Sequence, residues 1–383
     1  MKSINHYFKA LKFKVFNKTH ELFDFQTDKH IIVFESDDWG SIRMPSLEAL
    51  QRLKSKGYNF ADGIGYDRFD TLETADDLEA LKDVLVSVHD SLGNPAKITM
   101  NFAVANPDFD KIKASGFESY YYEPFTDTLR RQQGNENALD SLRDGIRKGV
   151  FQPQFHGREH LNAQMWMDML RKGDNATIDS FNENLFSMVV DQRTDIRQHV
   201  MAAYNISKES EYEFLLKSIS DGLDIFERIF GFKSKSMIAP CYTWDSEIER
   251  FASSCGIEYL QGSRVQRHSS FALSEGESID FRHTGEKNNF GQIYTVRNCS
   301  FEPSEDSKKD SNFCLLQVRN AFKRGHAAII SAHRQNFIGG LDARNRENNL
   351  KDFRILLANV VKEFPDVRFM SSDQFGDYLK QVK

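Results

Sequence analysis

The strongest constraint on this chain is the order of its patterns. Short apolar, β-branched runs alternate with longer stretches of helical periodicity, several times over. "HIIVFES" reads as a buried strand and "SLEALQRLKSKG" as a helix closed by Gly57. "ADDLEALKDVLVSVHDSLG" follows as a helix with Leu78, Leu81, Leu85 and Val88 on one face and Gly93 at its end. Then come strand "AKITMNFAVAN", helix "NALDSLRDGIRKG" and extended "VFQPQFH". The second half continues with strands "SKSMIAP", "IEYLQG", "HAAIISAH" and "VRFMS" between helices. Such an order predicts a parallel sheet with helices outside it.

The chain has 383 residues, no internal repeat and no proline-rich linker. That favours one barrel-like domain over 27–383, with the mostly helical stretch 161–233 as an insertion. "EPSEDSKKDSN", 302–312, reads as a surface loop. The formal net charge of −6 gives no sign of a nucleic-acid partner. Four cysteines without C-x-x-C spacing fit free thiols in a reducing compartment. No window is apolar enough to span a bilayer, and "MKSINHYFKALKFKVFNKTH" has no secretory pattern, so a cytoplasmic location is expected. Residues 1–26 form a basic arm with Ile4, Phe8, Leu11 and Val15 on one helical face. Two readings stay open for it: an amphipathic helix touching the inner membrane face, or an arm packed on its own domain.

Ligands of parallel α/β folds sit at the carboxyl ends of strands. Asp37 and Asp38 follow the first strand, His156 and His160 follow "VFQPQF", and His333 with Arg334 follows "HAAIISA". Two aspartates and three histidines at one sheet edge are the ligand types for a zinc-like divalent ion. The i, i+4 spacing of His156 and His160 would let one helical turn aim both imidazoles the same way. A carboxylate completes an Asp-His-His site with open positions. A cation there would offset the repulsion between adjacent aspartates. "HGREH" also fits the inverted zinc-protease pattern, but Pro153 argues against a long helix, which leaves Glu159 facing away.

These motifs, in this order, resemble the polysaccharide deacetylases with a NodB-homology domain (carbohydrate esterase family four and relatives). That family has a strand ending in Thr-Phe-Asp-Asp-Gly, where this chain has Glu-Ser-Asp37-Asp38-Trp-Gly. Its His-Ser/Thr-x-x-His becomes His156-Gly-Arg-Glu-His160, and its late strand-end histidine becomes His333. Across roughly 30–380 the resemblance implies a distorted (β/α)7 barrel. It implies Asp38, His156 and His160 as metal ligands, Asp37 as general base and His333 as general acid. It implies one divalent metal, zinc first among the candidates, and a backbone N–H at Tyr242 as oxyanion donor. The implied reaction removes an N- or O-acyl group from a carbohydrate, such as a glycan-biosynthesis intermediate.

The chain departs from the family at Gly157, which replaces its Ser/Thr, and in two further, linked places. Ile238 stands where the third motif carries arginine, and "YLQGSRVQR" lacks the acid of the fourth. Arg158, Arg264 and Arg334 are the candidates to orient Asp37 instead. Trp39, Tyr242 and Trp244 neighbour the motifs and, with Arg158 and Arg334, are candidates to contact substrate. Two other functions compete. One is a glycoside hydrolase using Asp37 with an acid such as Asp245. The other is a non-catalytic glycan-binding protein on a decayed barrel.

Overall fold

A computed structural model describes residues 21–382, except 59, 61–64, 133, 134, 136, 187–199 and 275–278. Nine strands form the central sheet: β1 (Ile31–Trp39), β2 (Ile98–Phe102), β3 (Phe151–Phe155), β4 (Ser236–Ile238) and β5 (Tyr259–Gly262), then β6 (Ile293–Val296), β7 (Cys299–Ser300), β8 (Ala328–His333) and β9 (Arg368–Met370). Their spatial order is β6-β5-β4-β3-β2-β1-β8-β7, with β9 beside the start of β1. Every pairing among them is parallel. The alternation read from sequence thus yields the expected mostly parallel sheet.

The order steps one way along the chain. Right-handed crossovers taken in one direction put their helices on the same face. That face carries the main apolar cluster, with Ile32, Phe34, Ile98, Met100 and Phe102 against helical residues such as Leu81, Ile219 and Leu357. The opposite face of β1 is graded. Ile31 and Val33 join Tyr259, Ile293 and Ile329 under Phe375 and Leu379 of the C-terminal helix, Ser372–Gln381. One and two side chains further on, the same face presents Glu35 and Asp37. An apolar floor therefore gives way to an ionic mouth at the carboxyl end.

Several boundaries differ from the sequence reading. The helix expected to run to Gly93 is Ala75–Val86. Ser87 caps it, its hydroxyl donating to the Val84 carbonyl at 2.7 Å, and Asp90 holds the following turn by accepting from the Leu92 and Asn94 amides, both at 2.9 Å. "AKITMNFAVAN" divides into β2 and a short strand, Ala105–Pro107, paired antiparallel with Tyr122–Pro124. Helices do occupy much of 161–233, at Ala163–Arg171, Asn175–Asn182 and Tyr212–Phe230. The first two share a small core with Phe109 and Ile112, while the third packs on the sheet and is the crossover between β3 and β4. Most of the N-terminal arm, residues 1–20, lies outside the described residues. Its end is tied down: Asp24 pairs with Arg264 at 2.6 Å, and Phe25 packs beside the C-terminal helix. No helix among the described residues is long and apolar enough to cross a membrane. All four cysteines are free thiols.

Candidate functional site

β1 does not end as a regular strand. Its register with β2 slips between Ser36 and Trp39, and Asp38 takes a left-handed backbone conformation, φ +76°. Regular alternation would send Asp37 and Asp38 to opposite faces; the bulge re-aims one of them. The left-handed region costs an L-residue about 1 kcal/mol, least for Asn and Asp. Gly40, at φ +77°, completes the turn, with its N–H donated to Glu73 at 3.1 Å. A Cβ there would lie 2.5 Å from the Ala103 carbonyl oxygen.

His156 and His160 come from the segment after β3. It is not helical, as the i, i+4 reading had it: Gly157 sits at φ +110°, and the helix begins only at Ala163. The segment is held by backbone bonds instead, Val104 N–H to Gly157 carbonyl and Ala105 N–H to Arg158 carbonyl, at 3.1 and 2.7 Å. Both histidine Nε2 atoms reach 3.5 Å from Asp38 Oδ1. Among the described residues, Asp38, His156 and His160 form the one buried trio whose possible ligand atoms all lie within 4.8 Å of one another.

The donor chemistry of this trio fits a divalent metal. His156 Nδ1 lies 2.9 Å from the Ile238 carbonyl oxygen, which can only accept. Nδ1 therefore carries a proton, which leaves Nε2, facing Asp38, as the ring atom that could hold a metal. That buried Nε2 has no hydrogen-bond partner, a deficit that native interiors rarely tolerate. Burial, outweighing the pull of Asp38, holds His160 well below its ordinary range and so neutral. Burial alone would raise the Asp38 carboxyl, but the Arg43 guanidinium, first among the nearby positive charges, overcomes it and keeps it anionic. Arg43 Nη2 touches Asp38 Oδ1 at 3.0 Å. It opens a buried charge chain: Arg43 to Asp70, Asp70 to Arg334, Arg334 to Glu73, at 3.2, 2.9 and 2.8 Å. Glu73 is the acceptor of the Gly40 amide, so the chain returns to the turn it supports.

Asp37 is held by different partners. Arg297 grips it with two parallel hydrogen bonds of 2.7 Å, and Asn101 donates to Oδ1 at 2.8 Å. Arg297 Nε also donates to Glu35 at 2.7 Å, and Glu35 accepts from Ser372 at 2.8 Å. Burial works against the Asp37 anion, yet Arg297 wins and lowers its pKa. The same burial leaves Glu35 raised, since it shares only one edge of the guanidinium. His333 lies opposite Asp37 in register, with Nε2 3.9 Å from Asp37 Oδ2. Its Nδ1 pairs with Glu302 at 2.6 Å, and Asn336 donates to the other Glu302 oxygen at 2.7 Å. Burial alone would make the imidazole less basic; Glu302, with Asp37 and Asp38, more than reverses this and lifts it to about 10.

The structure thus brings Asp37, Asp38, His156, His160 and His333 to one place. The remaining candidates divide. Tyr242 is partly exposed, and its hydroxyl lies 3.2 Å from Arg297 Nη1. Its N–H already donates to the Ala239 carbonyl at 3.0 Å, so the expected oxyanion donor is engaged in a turn. Trp39 is wholly buried with its indole N–H on Ser36, and Trp244 is buried with its N–H on Glu249. Neither ring offers a face to a sugar. Arg334 is fully enclosed between Asp70 and Glu73. Arg158 is buried over the Tyr122 ring at 4.0 Å and bonds Glu159 and Asp221. Glu159 also takes the Tyr120 hydroxyl, so it faces away from the trio as expected. Arg158, Arg264 and Arg334 all have other partners, and the arginine on Asp37 is Arg297. Asp245, the second acid of the glycosidase alternative, caps the helix Ser246–Ser254 and accepts from Tyr212 and Ser269.

Sequence reading missed Arg297 and Glu302. Arg297 directly follows the apolar run "IYTV"; "NNFGQIYTVRN" reads from sequence either as a strand or as a hairpin arm, and only the first reading brings the strand-end rule to Arg297. Glu302 opens the supposed surface loop, yet it is only 3% exposed. Its polar neighbours in sequence hid it.

No family model matches the chain, and no curated protein matches it by sequence. Solved structures do resemble it. A Parabacteroides distasonis protein, assigned provisionally as a glycoside hydrolase/deacetylase, superposes over 94% of this chain and 72% of its own, at 9% identity and a TM-score of 0.50. A Pseudomonas aeruginosa protein, assigned provisionally as a polysaccharide deacetylase, matches over 92% of both chains at 7% identity and a TM-score of 0.47. The 4-alpha-glucanotransferase of Thermococcus litoralis matches over 92% of this chain at 10% identity and a TM-score of 0.47. This chain spans only 40% of that enzyme's length. At such identities the likeness is one of fold alone.

Proposed function

We propose that this protein is a metal-dependent hydrolase that removes an N- or O-acyl group from a carbohydrate. The observation that carries this reading is one juxtaposition. A buried Asp38-His156-His160 trio lies beside an arginine-clamped carboxylate, Asp37, and a glutamate-backed imidazole, His333. A divalent metal on the trio, zinc first among the candidates, would supply Lewis acidity toward an acyl oxygen and a water.

The chain's own residues supply the proton transfers. Asp37 stays anionic and is the base that takes a proton from the attacking water. Arg297 and Asn101 fix its orientation, the role that the third-motif arginine has in the resembling family. His333, protonated and backed by Glu302, donates its proton to the departing nitrogen or oxygen. The short Asp37–His333 separation lets base and acid border the same small volume. Tyr242, at the rim, is the aromatic placed to contact the sugar.

We also read the sheet as a closed, distorted (β/α)7 barrel. The two ends of the strand order, β6 and β7, are consecutive in the chain and separated only by Arg297 and Asn298. Arg297 N–H bonds the Gly262 carbonyl of β5, and Asn298 N–H bonds the Ile329 carbonyl of β8, at 2.9 and 3.0 Å. As one kinked strand they would join both edges, leaving seven staves.

The test is metal content of protein purified without chelator, beside His156→Ala, followed by acetate release from sugar nucleotides and lipid-linked glycans. About one metal ion per chain in the parent, lost in the variant, with acetate rather than reducing sugar as product, is expected. Reducing sugar without acetate would overturn the deacetylase reading.

A further inference from the structure

Away from the proposed active site, a groove of about 530 Å³ opens between three helices on the outside of the fold: Phe125–Arg131, Ala138–Arg147 and Tyr212–Phe230. Its floor is apolar and includes Leu139, Ile146, Ile229 and Phe230, all of them half-buried against the main core. Among the described residues four arginines stand around it, Arg130, Arg143, Arg147 and Arg228, and none of those that line it is acidic. All four are exposed.

Three of these arginines have an aspartate one turn earlier: Arg130 with Asp127, Arg143 with Asp140 and Arg147 with Asp144. Exposed i, i+3 pairs contribute little in water, so they hold the guanidiniums loosely. Arg228 has no partner among the described residues. Long arginine stems can lie along an apolar wall while the head reaches an anion, and the guanidinium fork matches phosphate and carboxylate oxygens.

We infer that this groove binds a single-chain anionic lipid, its acyl chain on the apolar floor and its phosphate on the arginine rim. Charge complementarity selects an anion. Volume selects a small ligand, because about 300–1,000 Å³ is the usual range for one, whereas a protein partner needs a much larger contact. The basic segment at 1–20 has the wrong charge to be the occupant. This inference stands independently of the reaction proposed above.

The experiment is calorimetric titration of the full chain with a short-chain lysophosphatidate below its micelle concentration. The comparisons are the matching monoacylglycerol and inorganic phosphate alone. Saturable one-to-one binding of the lysophosphatidate is expected, weaker by at least about tenfold for the monoacylglycerol. An Arg147→Gln, Arg228→Gln double variant should lose the same factor with little change in melting temperature, because both side chains are exposed and no acid is introduced beside Asp144 or at a helix C-terminus. His156→Ala should bind as the parent does, which separates this groove from the active site. Binding unchanged in the double variant, absent in the parent, or matched by inorganic phosphate would overturn the inference. So would displacement of the lipid by an acidic amphipathic peptide at lower concentration.

Discussion

Arg297 meets Asp37 edge to edge, Nη1 on Oδ2 and Nη2 on Oδ1, each at 2.7 Å. It comes from the junction of β6 and β7, not from the strand where the resembling family keeps its arginine. The acid on its remaining edge is Glu35, two residues before Asp37 on the same strand face. Both carboxylates and the guanidinium between them are therefore set by a single strand and one arginine laid across it.

Arg297→Lys should keep the charge and lose the fork. Turnover should fall by roughly two to three orders of magnitude with KM little changed, as expected when orientation rather than binding is lost. Metal content should stay at the parental level. Steady-state kinetics beside metal analysis checks this. Arg297→Met is the harsher change: it strands two buried carboxylates and should cost about 3–5 kcal/mol of stability, read by urea denaturation.

Asp38→Asn should abolish metal binding and leave the fold intact. Asparagine tolerates the left-handed conformation at this position better than almost any other residue. The parent's melting temperature should rise on adding metal and fall with chelator. The variant's should respond to neither. Parental metal stoichiometry in Asp38→Asn would remove it from the ligand set.

His333 should titrate far from neutrality in the metal-free protein. Its folded value, about 10, lies above the ordinary histidine value because Glu302 and the two aspartates outweigh burial. The sign follows: the imidazolium persists until pH rises through about 10, while its contribution to stability is full below the unfolded value of about 6.5, declines above it and is gone beyond about 10. Glu302→Gln removes the main opposing charge, so the imidazole should titrate at least two units lower. NMR titration of the ring proton checks it. In the active enzyme, the alkaline limb of the rate profile should move down with the variant.

Gly40→Ala should destabilise the protein by about 2 kcal/mol or more. The added Cβ meets a backbone oxygen that cannot swing aside, and φ is positive. Gly57→Ala is the control: φ is also positive but nothing lies within 4 Å. A smaller loss there, by chemical denaturation, would separate the clash from the conformational penalty.

The clustering of the five acidic and histidine side chains was legible because strand ends in a parallel sheet converge, and sequence order alone locates strand ends. What was illegible had physical reasons. Trp39 and Trp244 look like sugar platforms beside a motif, but sequence does not say which way a ring turns at a bulge or a cap. Both turn inward, each to a buried hydrogen-bond acceptor. His156 and His160 have helical spacing, yet a glycine at φ +110° brings them together through a loop. Arg158, Arg264 and Arg334 were reasonable partners for Asp37 by proximity to motifs. Each is held by a nearer acid, Glu159, Asp24 or Asp70. Choosing among arginines needs three-dimensional pairing, which no local pattern encodes.

The hydrogen bond from Ser372 to Glu35 gives the C-terminal helix a place in the lineage of contacts that ends at Asp37. During synthesis the chain exposes every motif residue on the ribosome before this helix emerges. Until it docks under β1, the floor of the sheet is open, and Glu35 lacks one of its two donors. A nascent or clipped chain ending before Ser372 would thus carry all five clustered side chains and still hold Asp37 less firmly, because Arg297 would share a carboxylate that has lost its second donor.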